Sequence, residues 1–202
     1  MCNTNIRETI LELLKTYFEE DEIKGLLTYL DVNRYWTAPY STKYQYSNVG
    51  GLATYSLNTC NTLVTLCEEY DMQYDKKQLV LIGLFHAIAK SEYFEHYVAN
   101  KKVYNEEGKN YDELGRYDWQ SSIAYTVRDI DTRYTAGNLG LTSYMILSRY
   151  VGLTEESIMA IIYCFYNDDT KDIYTLLRRY PLISLLHCAS TLSLNVGVKK
   201  NV

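Results

Sequence analysis

Only 2 prolines interrupt the 202 residues, which excludes proline-rich linkers and suits helices joined by short connections. A basic excess is missing as well. The chain has 20 Lys and Arg against 25 Asp and Glu, spread along its length, so no stretch is marked for duplex nucleic acid or an anionic membrane surface. No apolar run approaches the roughly 20 residues that span a bilayer. The first residues also lack the basic region, apolar core and cleavage site of a secretory signal. Five cysteines (Cys2, Cys60, Cys67, Cys164, Cys188) are odd in number, widely spaced and mostly set in apolar helical patterns. They read as reduced core residues rather than a disulfide or zinc framework. The expectation is a cytoplasmic protein, in a host's cytoplasm if the chain is viral, with no membrane contact.

Phenylalanine is scarce at 4, whereas tyrosine reaches 22. An AT-rich genome, which favours Tyr, Asn, Lys and Ile codons, accounts for much of this. A pocket or interface lined with rings that carry polar tips would use the same residues.

Helical periodicity covers most of the chain. Ile6, Ile10, Leu13, Leu14, Tyr17 and Phe18 form one stripe, with Thr4 as its N-cap. Glu22 to Leu30 follows an acidic junction. From Asp31 to Gly51 the pattern breaks into a long Ser/Thr/Tyr/Asn-rich loop, of the kind that carries function in compact domains. Leu52 to Tyr70 returns to helix. Gln78 to Lys90, reading QLVLIGLFHAIAK, is apolar nearly all round and predicts a helix buried on every side. Around 98–128, a turn signal at Asn105–Gly108 and the β-branched run SSIAYTV predict a small β-hairpin. Further helices are expected over Asn138 to Tyr150, from Thr154 to about Tyr166, over Ile173 to Arg179 and over Leu182 to Val196. The class is therefore mainly α. Residues 1–35 supply N-terminal helices packed on the core, and 36–202 form the helical domain with its hairpin insert.

The order of motifs adds more. TAPYSTKYQYSNVGGLATYSLNT, LVLIGLFHAIAK, GKNYDELGRYDW, TAGNLGLTSYMI, LTEESIMAIIYCFYN and LLHCASTL follow one another between about Trp36 and Asn195. This series resembles the HD-domain phosphohydrolases, in particular the bacterial and phage branch with a GGL-x-x-HSL helix and a GLLHD-x-x-K helix. The resemblance implies an HD-domain-like helical bundle. In that family, histidines and an adjacent His-Asp pair hold divalent metals that activate water against a phosphate ester. Here the ligands are replaced. Gln45 and Tyr55 stand where two of the histidines would be, and Ala87 takes the aspartate's place beside His86. Asn138 and Cys164 fall at later histidines, and Ser190 at the closing aspartate.

The resemblance thus implies no catalytic residue, no metal and no cofactor. His86, lacking its carboxylate partner, also reads as a core histidine. Cys164 without a neighbouring base reads as a buried thiol, and Asp168, Asp169 and Asp172 as a polar interhelical loop. Lys43, Lys90 and Arg133 are suited to meeting phosphates. Gln45, Tyr55, His86, Asn138 and Cys164 would line the former site. The first expectation is a non-cleaving binder of a nucleotide-type small molecule, such as a phage sponge for a host antiviral signalling nucleotide. A protein-interaction module on a dead scaffold and a hydrolase with a relocated site are the alternatives. A homodimer would let two pockets or two lids cooperate on one ligand, with the hairpin from Val98 to Arg128 as lid or dimer contact.

Overall fold

The computed structural model describes residues 4–129, 138–167 and 172–196. Four helices come first: α1 (Thr4–Tyr17), α2 (Glu20–Val32), α3 (Gly51–Glu69) and α4 (Lys76–Phe85). A 3-10 turn (Ile88–Glu92) leads into β1 (Phe94–Tyr104), β2 (Asn110–Asp112) and β3 (Gly115–Val127). The chain then returns to helix in α5 (Leu139–Leu147), α6 (Glu155–Tyr163), α7 (Ile173–Arg179) and α8 (Pro181–Asn195). None of the described helices is long and apolar enough to cross a membrane.

The fold class is corrected by the strands. In place of a mainly α bundle with a small hairpin, the chain is mixed: helices plus a three-stranded antiparallel sheet in the order β1-β3-β2. Its two long strands have 11 and 13 residues. They pair without interruption from Phe94 opposite Val127 to Tyr104 opposite Tyr117. The strands begin earlier than composition suggested, because Phe94–Tyr97 turns directly out of the 3-10 segment.

Local signals set the helix ends. The acidic junction is the first turn of α2, where the Glu22 carboxylate accepts from the Glu19 N–H at 2.9 Å and favourably opposes the helix dipole. Thr154 caps α6 through Ser157 N–H. Pro181 both stops α7 and opens α8 at its first turn, where a missing N–H costs nothing. The buried helix is shorter than its apolar pattern: α4 ends at Phe85, with His86 as its C-cap and Ala87 out of helical geometry at φ −113°.

Helices α1 to α4, α5, α6 and α8 share one hydrophobic core, in which Ile10, Leu26, Leu52, Ile82, Ile161 and Leu186 are fully buried. At one crossing, a methyl at Gly83 would lie 2.6 Å from Cys60 Cα. Only a hydrogen side chain lets α3 and α4 approach this closely. Gly51 likewise sits against the Tyr46 carbonyl, 2.0 Å from where its Cβ would be, which ties the long loop to the start of α3.

Candidate functional site

Several of the residues singled out from sequence come together where α3, α4, α6 and α8 meet. Tyr55 from α3, His86 at the end of α4, Cys164 at the end of α6 and Ser190 from α8 converge there, and all four are buried. His86 Nδ1 lies 3.1 Å from both the Ile82 and the Gly83 carbonyl oxygens. Carbonyls only accept, so Nδ1 carries the proton and Nε2 presents a lone pair. That lone pair accepts the Tyr55 hydroxyl at 2.9 Å, and the Tyr55 oxygen accepts from Ser190 Oγ at 2.6 Å. A directed chain runs from Ser190 through Tyr55 to His86 and ends on the backbone.

A carbonyl holding Nδ1–H is also how metal-ligating histidines aim Nε2 at their ion. Here the orientation is kept, but a phenol occupies the position in front of Nε2. Burial lowers the His86 pKa to about 4, against partial support from the Gly83 and Ile82 carbonyls, and the nearby Lys90 charge adds to the lowering. Burial also raises the Cys164 thiol and holds Tyr55 well above its ordinary value. Every member is neutral near pH 7. Such a centre offers neither a nucleophile nor a general base, since a base needs a pKa near the working pH and access to a substrate proton.

Rings close the space above it. Tyr40 lies over Tyr55 with centroids 3.8 Å apart, and Phe165 stacks on His86 at 5.7 Å. Lys90 Nζ sits 3.7 Å above the Tyr40 ring and donates to the Tyr40 carbonyl at 2.8 Å. Burial lowers its pKa to about 8. Among the described residues, no group of three or more His, Cys, Asp or Glu side chains could hold a metal ion.

Neither a protein-family model, nor a curated protein, nor a solved structure matches this chain. Its residues alone carry the reading.

The other residues singled out from sequence are dispersed. Asn138 caps α5, its Oδ1 accepting the Leu141 N–H at 2.7 Å, so its side chain is spent on the helix end. Lys43 is exposed. Gln45 is half-buried, with Oε1 enclosed and without a hydrogen-bond partner among the described residues. It borders an open cleft of about 390 Å³ with Tyr40, Ser41, Tyr44, Leu194 and Asn195. Arg133, Asp168 and Asp169 lie outside the described residues. Asp172 precedes α7 at φ 57°. Ser190, Tyr40 and Phe165 belong to the centre although they were not expected in a binding set. For Ser190 the signal was available, since the resemblance puts it at a ligand position.

A second feature lies outside the core. Residues opposite one another in a sheet share a face, so the register of β1 and β3 puts Val98, Tyr104, Trp119, Ile123 and Val127 together. All five are exposed, Val98, Ile123 and Trp119 by more than half. The same face also carries His96, Asn100, Lys102 and Ser121, and the other carries Glu95, Lys101, Asp118, Gln120 and Ser122 with Tyr97 and Val103. The first face is the richer in large exposed apolar and aromatic side chains. At its base this face looks onto the Arg34–Pro39 loop across a cleft of about 370 Å³.

Proposed function

We propose that the protein is a non-catalytic docking module that works through its ribbon and performs no chemistry at its centre. The observation that carries this reading is the uncovered apolar face of β1 and β3. Large apolar and aromatic side chains gathered in the open on one face mark a contact site, although the Asn100–Ser121 row interrupts them, and an antiparallel sheet ordinarily covers its more apolar face. The filled centre supports the same reading from the other side. Taken with the resemblance to HD-domain phosphohydrolases, the chain is a scaffold whose metal positions have been given to Tyr55 and neutral neighbours.

The test places a photo-crosslinking amino acid at Trp119 on the apolar face, or at Gln120 on the polar face, of the full chain in its native cells. Adducts from position 119 but not from 120 are expected. Absence of adducts from both positions refutes docking through this face.

One observation favours the nucleotide reading as a second. The cleft beside Gln45 joins a buried, unpartnered acceptor to the exposed Tyr44 ring, with Lys43 in the same loop. An exocyclic amine, a base plane and a phosphate would find partners there. A phosphate-bearing nucleotide held this way would be sequestered uncleaved in the cytoplasm, the host's if the chain is viral. Thermal shift against cyclic di- and trinucleotides and ADP-ribose derivatives tests it. No shift with any of them removes this reading, because a ligand that binds the folded state must stabilise it.

A further inference from the structure

We infer that the partner of the ribbon is a second copy of this chain, joined through the free edge of β1 in an antiparallel pairing centred on Val98. The inference rests on the reading that the ribbon is the docking element, and it uses the edge of the ribbon rather than its face.

The edge is open by construction. In the order β1-β3-β2, only one side of β1 is paired among the described residues. At the two ends of the β1–β3 ladder, Asn105 N–H bonds Arg116 O and Arg128 N–H bonds Tyr93 O. Both β1-side residues are odd-numbered, and antiparallel ladders alternate. The odd residues of β1 therefore point their backbone groups at β3. The N–H and C=O groups of His96, Val98, Asn100 and Lys102 point away from it. An 11-residue edge strand with no proline and an unbroken register is an open template for pairing.

The sequence of this edge is complementary to itself. A two-fold axis at Val98 sets each even residue against an even residue of the second copy, as backbone bonding requires. Val98 then faces its own counterpart, and His96 faces Asn100. On the polar face, Glu95 falls opposite Lys101, and by symmetry this pair forms twice. Neither residue has an ion-pair partner among the salt bridges of the described chain. Moving the axis by one residue either way loses the pair. Opposite charges directly across a strand pair stabilise it, and like charges destabilise it.

The geometry leaves room for both bodies. Antiparallel pairing puts the two helical bodies at opposite ends of a joined six-stranded sheet. At about 3.4 Å per residue, the axis at Val98 lies four residues from each Phe94, so the two strand bases are roughly 27 Å apart along the sheet. The apolar faces of the two ribbons then lie on the same side, so one continuous surface replaces two narrow ones.

Sedimentation of the full chain across a concentration series reads the mass directly. The wild type is expected to reach twice the chain mass. Val98→Pro removes an N–H that β3 does not use, and it should shift the protein to monomer with an unchanged circular dichroism spectrum. Glu95→Lys or Lys101→Glu alone should each weaken the dimer roughly tenfold, and the double exchange should restore it. A chain that stays monomeric, or a dimer indifferent to all of these substitutions, overturns the pairing. In that event, crosslinking at position 119 to another protein keeps the docking reading, and its absence takes that reading down as well.

Discussion

The closed centre makes a quantitative claim about pH. His86 is fully buried and its pKa is lowered from 6.5 to about 4, chiefly because the cation loses its hydration. In the unfolded chain the same imidazole takes up a proton near pH 6.5. Above that pH both states hold it neutral, and His86 contributes no pH dependence. As pH falls below 6.5 the unfolded state binds the proton and the folded state resists it, so stability declines until the folded pKa is passed. At about 1.4 kcal/mol for each tenfold change in proton affinity, the loss between pH 7 and pH 4 is about 3 kcal/mol.

Urea unfolding of the wild type and of His86→Gln, repeated across this range, isolates the effect. Glutamine keeps an acceptor for Tyr55 but cannot charge, and the carboxylates that also titrate are common to both proteins. From pH 7 to pH 4 the wild type should therefore lose about 3 kcal/mol relative to the glutamine variant. Parallel curves would refute the buried neutral imidazole. The ring proton shifts of His86 in the folded wild type give an independent reading, and they should stay at neutral values down to about pH 5. Titration of those shifts near pH 6.5 would mean that the centre is open to water, and that Tyr55 does not fill it.

Other consequences are as direct. Tyr55→Phe keeps the ring but strands His86 Nε2 and Ser190 Oγ in the core, and it should cost about 1–3 kcal/mol in chemical denaturation. Gly83→Ala drives a methyl into Cys60 Cα and should lower stability by about 1–3 kcal/mol through overpacking of α3 against α4. Lys90, held near 8 by burial, should titrate well below the exposed lysines when its methylated ammonium is followed by NMR, and a value near 10.5 would contradict its placement over Tyr40. Asn138→Ala should cost about 1 kcal/mol by uncapping α5 while leaving any nucleotide affinity unchanged, which separates a cap from a ligand contact.

The sequence was most legible where one local signal decides an element. Ile173–Arg179 is helical over the expected bounds because Pro181 cannot extend it, and Thr154 caps the helix it was expected to cap. The sheet was harder to see. On its apolar face, Val98, Trp119 and Ile123 alternate with Asn100, Lys102 and Ser121, so period-two patterning shows neither a clean buried side nor a clean wet one. Which of these residues share a face is set by the pairing register, which the residue pattern alone does not reveal. The site divides in the same way. Tyr55, His86 and Cys164 come together in the core, yet residue type did not show that the tyrosine hydroxyl would cap Nε2, or that Asn138 would be consumed by a helix end. Which group satisfies which is settled by tertiary geometry.

The filled centre and the exposed ribbon depend on each other. The helix break at His86 and Ala87 starts the 3-10 turn that becomes β1, and polar contacts clamp this short segment to the body. Lys90 donates to the Tyr40 carbonyl, Tyr29 donates to the Glu92 carboxylate at 2.9 Å, and Arg128 N–H bonds the Tyr93 carbonyl. Beneath it, Tyr55 and Tyr40 occupy the space that a working metal site must leave open for water and substrate. With that space packed, the 3-10 segment rests on the core through buried Ile88 and Ala89. A surface fixed before it meets its partner loses less conformational freedom on binding. On the docking reading proposed above, loosening the centre with Tyr55→Phe should weaken self-association as well as stability.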